Sequence, residues 1–195
     1  EADLTIQTTV ENNGTASVNC EVKSEIIGPD DRSLKTIKTE ETTPAGGEHE
    51  VVQTTVISQP RLWSLNAPHL YKLRTTILQD GQPVDCTTTT FGIRTIRYDA
   101  DKGFFLNGKH VEINGVANHQ DFPVVGIAVP DSLQPWRVKQ LKQMGCNGWR
   151  TAHNPPNETV LDACDQQGML VMDENRHLGD TYLDKTGSGT NCTNL

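Results

Sequence analysis

No apolar run in the 195-residue sequence approaches the roughly 20 residues that a membrane-spanning helix needs. Basic residues are also scarce, with 17 lysines and arginines against 25 acidic residues and a formal net charge of −8. This balance argues against a nucleic-acid partner, which normally requires a basic face. The amino terminus, Glu1-Ala2-Asp3-Leu4, has no basic segment followed by an apolar one, as a signal peptide would. We therefore expect neither a membrane nor a nucleic acid among the partners.

The sequence has five cysteines: Cys20, Cys86, Cys146, Cys164 and Cys192. No two of them stand in Cys-x-x-Cys spacing, so a zinc knuckle or a redox dithiol is not expected. Cys20 and Cys86 fall in separate predicted strands and could form a disulfide in an oxidising compartment, but buried free thiols explain them at least as well. Three triplets favour a secreted or periplasmic location: Asn13-Gly14-Thr15, Asn157-Glu158-Thr159 and Asn191-Cys192-Thr193.

Residues 1–98 show the alternation of apolar and polar residues that is typical of half-buried β-strands. The alternation falls in five segments: 4–10, 18–22, 52–56, 71–77 and 84–90. Turn clusters rich in glycine, proline and asparagine separate these segments, as in Asn12-Asn13-Gly14. Six or seven short strands over roughly a hundred residues predict an all-β immunoglobulin-like sandwich for residues 1–98.

The pattern changes after Tyr98, where predicted strands begin to alternate with predicted helices. Asn107-Gly108 lies between two short apolar runs and predicts a hairpin. Three predicted parallel strands follow at residues 111–116, 146–151 and 169–172, the last a continuous apolar run typical of a strand buried on both faces. The order β-α-β-α-β predicts that residues 99–195 contain the first three β/α units of a TIM (β/α)8 barrel. The chain as a whole is therefore predicted to be multi-domain.

Two helices are predicted between these strands. The first has apolar residues at helical spacing across residues 133–144, with Asp131 as its N-cap and Gly145 just beyond its end. The second begins at Asn154-Pro155, with the asparagine as its cap and the proline in its first turn, and it ends at Gly168.

Three polar clusters follow the predicted parallel strands: Asn118-His119-Gln120-Asp121, Arg150-Thr151-Ala152-His153-Asn154 and Asp173-Glu174-Asn175-Arg176-His177. The residues just past each strand of a β/α barrel share one rim, where active sites form. We therefore expect the clusters to meet around a common cavity and to bind substrate there.

The residues of this rim differ in the chemistry they offer. His119 can hydrogen-bond a substrate hydroxyl, and His153 offers one donor and one acceptor when it is neutral. Arg150 is a permanently charged fork of donors that suits a carboxylate on a substrate or a glutamate, although a structural ion pair explains it equally well. Asp173 and Glu174 are neighbours on one strand and point to opposite faces. We expect one of them to pair with Arg150 and the other to face the helices.

Metal binding is an alternative function for the rim. His119, His153, Asp173, Glu174 and His177 could supply nitrogen and oxygen ligands. None of them stands in a compact His-x-His or His-Glu-x-x-His spacing. The sequence therefore predicts no metal and no other cofactor, and a metal-dependent hydrolase is the less favoured hypothesis.

Several ordered motifs across about residues 60–180 match one enzyme family at its characteristic spacing. In the first half they are Arg61-Leu62-Trp63-Ser64, Pro68-His69-Leu70-Tyr71 and Phe91-Gly92-Ile93-Arg94. In the second half they are Phe105-Leu106-Asn107-Gly108-Lys109, Gly115-Val116-Ala117-Asn118-His119, Arg150-Thr151-Ala152-His153-Asn154-Pro155, Cys164-Asp165-Gln166-Gln167-Gly168-Met169 and Asp173-Glu174. The sequence thus resembles family 2 of the glycoside hydrolases, and in particular its β-galactosidase-like members.

The resemblance implies a retaining exo-glycosidase whose substrate is a β-glycoside. Such enzymes use one carboxylate as a nucleophile and a second as acid and base. In this family both are glutamates on later barrel strands, and the acid/base follows an asparagine. We expect Asn157-Glu158 to begin a helix, and we therefore expect that neither catalytic glutamate lies in this chain.

The resemblance also implies which residues bind the sugar. His119 corresponds to the histidine that the family places against the sugar, and Arg150 and His153 to residues that line the sugar subsite. The expected substrate-binding residues are His119, Asp121, Arg150, His153, Asn154, Asp173 and Glu174. The best-known β-galactosidases carry a Glu-x-His magnesium motif shortly after the Asp-Glu pair, whereas residues 175–180 here are Asn-Arg-His-Leu-Gly-Asp. Magnesium is therefore not expected.

We accordingly expect a fragment of such an enzyme, with a further domain before Glu1 and the rest of the barrel after Leu195. The remainder of the same enzyme would be its partner, and a homo-oligomer is compatible with the sequence. The isolated chain should be inactive, because three strands do not close a barrel. The alternative is a non-catalytic carbohydrate-binding or assembly module built on the sandwich, where few aromatic residues are available to stack on sugars.

Overall fold

The computed structural model describes residues 1–174, which divide into two compact units. The first consists of residues 1–98 with 105–109, and the second begins with residues 99–104 and continues from 110. The predictions that concern residues 175–180, His177 and Cys192 fall outside the described residues. Within residues 1–174, no helix combines the length and the apolar character needed to span a membrane.

Six long strands form the first unit. They are β1 Ala2–Asn12, β2 Val18–Ile27, β3 Ser33–Thr43, β4 Gly47–Ile57, β5 Leu70–Gln79 and β6 Gln82–Gly92. Strands β1 and β4 pair antiparallel, and the other four form a sheet in the order β3-β2-β5-β6. Strand β3 was not among the predicted segments, because it carries mostly exposed lysine, threonine and glutamate rather than an apolar alternation.

The two sheets share a hydrophobic core, so the predicted sandwich is confirmed. Alternate residues of β2 are buried, as the period of two requires. Ile6 from β1, Ile57 from β4, Ile26 from β2 and Tyr71 from β5 form one buried cluster that joins both sheets. Burying such side chains stabilises the fold by about 1.5–3 kcal/mol each.

The motif residues at the end of the sandwich pack around Trp63, whose side chain is 1% exposed. The Trp63 amide donates to the carbonyl of Ile93 at 2.8 Å, and the Arg94 guanidinium lies 4.7 Å from the centre of the indole. The amide of Arg61 donates to the hydroxyl of Tyr71 at 2.7 Å. The motif residues in this part of the chain therefore have structural partners within the sandwich.

Cys20 and Cys86 do not form the disulfide that the sequence left open. Cys20 is buried on the core side of β2, whereas Cys86 is exposed on β6. Cys86 lies opposite Thr76, whose neighbour on β2 is Lys23, and this places Cys86 on the outer face of the sheet. The two thiols therefore lie on opposite faces, and all four cysteines within residues 1–174 are free.

Three short strands follow the sandwich: β7 Ile96–Asp99, β8 Gly103–Leu106 and β9 Lys109–His110. Asn107 and Gly108 connect β8 to β9 with φ values of +51° and +75°. Asparagine and glycine tolerate this left-handed conformation, which a two-residue hairpin turn needs. The predicted hairpin is therefore confirmed.

The second unit contains the predicted β-α-β-α-β order, beginning at β10. Its elements are β10 Gly115–Asn118, a 3-10 turn Asp131–Leu133, α1 Gln134–Gln143, β11 Gly148–Thr151, α2 Glu158–Gln167 and β12 Leu170–Met172. The strands form a parallel sheet in the order β10-β11-β12. Val138 of α1, Trp149 of β11 and Cys164 of α2 are buried together between the helices and this sheet. These elements are the opening of a TIM barrel, as the sequence predicts.

The first parallel strand lies later in the chain than predicted. The amide of Val111 still donates to Phe104 in the preceding hairpin, at 2.9 Å. Pairing with β11 begins only where Gly115 lies opposite Gly148. A Cβ added at Gly148 would lie 2.9 Å from the side chain of Ile113, so the missing side chain permits this close approach. The strand therefore occupies Gly115–Asn118 rather than residues 111–116.

Both predicted N-caps were wrong. Asp131 begins the 3-10 turn before α1 and does not cap the helix itself. Helix α2 is capped by Asn157, whose side-chain oxygen accepts from the Val160 amide at 3.1 Å, and not by Asn154. Two consecutive prolines follow Asn154, and the second disfavours a helical conformation for the first, which delays the start of the helix. Gly168 ends α2 with a φ of +74°, in agreement with its predicted position.

Candidate active site

The carboxyl ends of β10, β11 and β12 bring the predicted rim residues together. In a parallel sheet, residues that lie opposite each other share a face, so the register determines which side chains meet. Arg150 lies opposite Ala117 on one side and Met172 on the other. Trp149 and Thr151 point to the other face, where Trp149 packs among the helices. Arg150 is therefore on the face that becomes the interior of a closed barrel.

Glu174 is the centre of the rim. Its carboxylate accepts a hydrogen bond from Nε of Arg150 and a second one from Nδ1 of His153, the latter at 3.0 Å. Its own amide donates to the hydroxyl of Thr151 at 2.8 Å. Glu174 thus fixes two predicted substrate-binding side chains from β11 at once, and it is the member of the Asp-Glu pair that binds Arg150.

The charge of Glu174 is stabilised by these partners. Partial desolvation raises the pKa of the Glu174 carboxyl, but hydrogen bonds from Arg150 and His153 and the charges of both residues together hold this pKa below its ordinary value. Because an ionised carboxylate only accepts, Nδ1 of His153 must carry the proton of this hydrogen bond. When the ring is neutral, Nε2 is its acceptor, whereas the protonated ring has two donors and no acceptor.

His119 joins this group through its ring. The imidazoles of His119 and His153 meet edge to face, with ring centres 5.2 Å apart and an angle of 84° between their planes. His119 follows β10, and His153 follows β11. The two histidines therefore form a continuous polar surface with Glu174 and Arg150, and the side chain of Arg150 remains 44% exposed.

Asp173 faces the other way, as expected for one member of the adjacent pair. Its carboxylate accepts from the Thr151 hydroxyl at 3.3 Å, on the face of the sheet that packs against the helices. Asp121 and Asn154 are both exposed. Burial lowers the pKa of Arg137 on α1, and the charge of Asp121 raises it to a smaller extent. The structure thus brings His119, Arg150, His153 and Glu174 together and leaves the other three at the periphery.

A cavity of about 180 Å³ lies beside this group, on the helix side of the sheet. It is lined by residues from the ends of the strands and the first turns of both helices, among them His119, Gln134, Arg137, Thr151 and Asn157. His119 is the predicted site residue that lines it, while Arg150, His153 and Asp173 do not. The expectation that His119, Arg150, His153 and Asp173 surround one cavity was therefore wrong, because Arg150 and Asp173 project to opposite faces of the sheet.

Two residues of the site were not anticipated from the sequence. Thr151 was treated as part of a cluster, yet its buried hydroxyl connects the main chain of Glu174 to Asp173. Arg137 is 7% exposed, and its Nη2 donates to the carbonyl of His119 at 2.8 Å. The sequence offered one indication of a role for Arg137, which is a charged residue on the helix face that carries most of the apolar residues. Within the described residues 1–174, no group of three or more histidine, cysteine or acidic side chains is arranged to hold a metal ion.

Comparison with known proteins identifies the family. Residues 1–94 match the model for glycosyl hydrolases family 2, and residues 99–194 match the model for the TIM barrel domain of the same family. The chain belongs to glycosyl hydrolase family 2. The resemblance inferred from the sequence motifs is therefore confirmed.

Several proteins, some of them with solved structures, are similar to this chain. A β-galactosidase of Bacteroides ovatus is 38% identical over 174 residues, which is 89% of this chain and 20% of that protein. A solved family 2 member from Bacteroides cellulosilyticus superposes with a TM-score of 0.85 at 30% identity, over 89% of this chain and 22% of that one. The β-glucuronidase 2 of Bacteroides uniformis, covalently bound to cyclophellitol-6-carboxylate aziridine, gives a TM-score of 0.83 at 31% identity, over 87% and 20% of the two chains. The chain thus spans about a fifth of the length of these family 2 relatives.

Proposed function

We propose that this chain forms one side of the substrate-binding end of a retaining exo-β-glycosidase, most similar in activity to a β-galactosidase. The proposal rests on one arrangement at the carboxyl ends of the parallel barrel strands. There, Glu174 accepts hydrogen bonds from Arg150 and His153, and the ring of His119 packs against that of His153. In this proposal both catalytic glutamates are supplied by the remainder of the same enzyme. The Asn157-Glu158 pair caps and begins α2, which supports its exclusion as a catalytic pair.

The proposed role of the rim follows from its hydrogen-bonding groups. Nε2 of His153 accepts from a sugar hydroxyl, because Glu174 holds the proton of the ring on Nδ1. His119 contacts a second hydroxyl from the adjacent strand end. Asp121 and Asn154, which are exposed, would complete the contacts to substrate. Asp173 would act through Thr151 rather than by direct contact.

A retaining mechanism is supported by the B. uniformis β-glucuronidase 2, which is covalently bound to its ligand in the solved structure. A covalent glycosyl–enzyme intermediate is the defining step of retention. In the proposed enzyme, one glutamate attacks the anomeric carbon as the glycosidic bond breaks, and the other protonates the leaving oxygen. The second glutamate then takes a proton from water as the water oxygen bonds to the anomeric carbon and the bond to the first glutamate breaks, which releases the sugar with its original β configuration.

Galactoside and glucuronide are the two substrates to distinguish, because relatives named for each activity match the chain. Arg150 is the rim residue that could recognise a glucuronate carboxylate, but it already binds Glu174 in this structure. A neutral sugar needs no such partner, and this favours the galactoside. The secreted or periplasmic location, the homo-oligomer and the absence of a cofactor remain part of the proposal.

The test uses the complete gene product that carries this chain. We expect it to hydrolyse 4-nitrophenyl β-D-galactoside faster than the β-D-glucuronide or the β-D-mannoside, and NMR of the first-formed product should show the β anomer. Dialysis against EDTA should leave turnover unchanged. Arg150→Ala and His153→Ala should each lower kcat/KM about 100-fold or more, as a loss of substrate positioning does. Arg32→Ala is the matched control, since the side chain of Arg32 is 83% exposed on a sandwich turn.

Each result bears on a different part of the proposal. Normal kinetics in both variants would rule out the roles of Arg150 and His153. If the α anomer forms first, the enzyme inverts the anomeric configuration and the proposed retaining mechanism is wrong. Binding of β-galactosides without hydrolysis by the complete gene product would support the carbohydrate-binding module instead. Hydrolysis by the purified 195-residue chain alone would refute the statement that both catalytic glutamates lie elsewhere.

A further inference from the structure

Arg137 is a buried cation that connects the helix layer to the rim. It lies on α1, and its side chain is 7% exposed. Nη2 donates to the main-chain carbonyl of His119 at 2.8 Å, and Nη1 donates to Oε1 of Gln134 at 3.3 Å. Gln134 is itself 3% exposed. A hydrogen bond from a charged donor is worth about 1.5–3 kcal/mol, so the contact to His119 is among the stronger ones in this part of the chain.

Two aromatic rings hold the guanidinium in place. Its central carbon lies 5.1 Å from the ring centre of Trp149 and 5.8 Å from that of Phe122. Trp149 belongs to the buried cluster beneath the helices, and Phe122 lies on the loop that follows His119. The Arg137 side chain therefore contacts the core on one side and the substrate-facing loop on the other.

Within residues 1–174, no carboxylate lies within 4 Å of Arg137, although burial of a charge is costly without compensation. The Arg137 charge is compensated by the His119 carbonyl, the Gln134 amide oxygen, the two ring faces and, at longer range, the charge of Asp121. A lysine could not reproduce this set, because its ammonium, although it has three donors, lacks the planar guanidinium that lies against the rings while donating from its edge. The arrangement thus requires arginine at this position.

We infer that Arg137 is a positioning residue, which fixes the main chain of His119 so that its ring stays edge-on against His153. The inference rests on the proposed function, in which His119 contacts the sugar. Arg137 lies on the helix side of the sheet, on the face opposite to Arg150 and Glu174. Its effect on turnover therefore passes through His119, and this distinguishes it from a residue that merely stabilises the helix.

The test is a double-mutant cycle in the complete gene product. Arg137→Met keeps an unbranched apolar side chain but removes the guanidinium with its charge and donors, and we expect it to lower kcat/KM for 4-nitrophenyl β-D-galactoside about 10-fold. In a His119→Ala background the same change should have an effect of less than about 2-fold, because the group through which it acts is absent. Lys139→Met on the same helix is the matched control and should be neutral, since Lys139 is exposed.

A second readout does not depend on activity. In protein labelled with 15N-histidine, the ring signals of His119 should shift or broaden in Arg137→Met and stay unchanged in Lys139→Met. If Arg137→Met does not yield folded protein, Arg137→Lys tests the same point with both readouts and should show a smaller loss. An equal loss of kcat/KM in the two backgrounds, or unaltered His119 signals, would overturn the inference. If no β-glycoside is hydrolysed, the proposed function fails, while the ring signals still decide the positioning role.

Discussion

Replacement of Thr151 by valine removes the hydroxyl that connects the Asp173 carboxylate and the Glu174 main chain, at the end of β12, to β11. Thr151 is 3% exposed, and its Oγ1 accepts from the Glu174 amide at 2.8 Å while donating to Asp173 at 3.3 Å. Valine has the same branched shape but no hydroxyl, so packing against Trp149 and the helices is largely preserved. The change therefore isolates the hydrogen bonds from the surrounding core.

The expected magnitude follows from what valine leaves behind. A buried donor without an acceptor costs about 1–3 kcal/mol, and the weaker bond to Asp173 adds little. We take about 2 kcal/mol for the Thr151 hydroxyl, which corresponds to about a 30-fold increase in local opening. Because the Glu174 main chain would no longer be held in place, Arg150 and His153, which bind its carboxylate, should also shift, and kcat/KM should fall about 10-fold.

Amide hydrogen exchange at Glu174 and steady-state kinetics of the complete gene product measure these two effects. The control is Thr151→Ser, which keeps the hydroxyl and should retain both the protection of this amide and most of the activity. If the Glu174 amide exchanges at the wild-type rate in Thr151→Val and the variant keeps the wild-type kcat/KM, then the hydroxyl does not organise the rim. The assignment of Glu174 as the residue that fixes Arg150 and His153 would then lose its structural basis.

Three further outcomes follow from the described residues. Asn157→Ala should remove the cap of α2 at a cost of about 1 kcal/mol, seen as roughly fivefold faster amide exchange in its first turn and not in α1. Cys86 should react readily with a maleimide in the native protein, while Cys164 should not, because burial first and the nearby Asp165 second raise the pKa of its thiol to about 12; peptide mapping distinguishes them. The Glu174 carboxyl should titrate below its ordinary pKa in NMR, and Arg150→Met should move this pKa upward. Because the folded-state pKa is depressed, this carboxylate stabilises the fold above its unfolded-state pKa, and the contribution is lost as the pH falls through the folded-state value. An unshifted midpoint in the variant would contradict the pairing.

The elements that depend on simple periodicity could be predicted from the sequence. Alternation in β1, β2, β4 and β5 follows from which faces are buried. Strand β6 has a similar alternation although nearly all its residues are exposed, and the continuous apolar run of β12 is only partly buried within residues 1–174. Strand β3 could not be recognised, since one of its faces is solvated and the other carries threonine and glutamate as well as isoleucine. Its place in the sheet is set by pairing with β2, which is a tertiary contact.

Helix boundaries and some site residues depend on information that is not local. Asn154 and Asn157 are both reasonable caps, and only the conformational restriction imposed by the intervening prolines selects the second. The sequence indicates that one of Asp173 and Glu174 pairs with Arg150, because alternation along a strand allows only one of two adjacent carboxylates to do so, and the structure identifies it as Glu174. Arg137 and Thr151 could not be recognised, since their partners are main-chain groups more than fifteen residues away in the sequence.

The alternation along β11 has a consequence for how such an enzyme can change. Trp149 and Thr151 are buried on the helix side of the sheet, while Arg150 between them pairs with Glu174 on the other face. Neighbouring positions of β11 therefore meet different requirements: positions 149 and 151 must fit the packed core, whereas position 150 must pair with Glu174. A mutant library that varies position 150 and the loop beyond, while sparing 149 and 151, should keep a high fraction of folded members and still sample new sugar preferences.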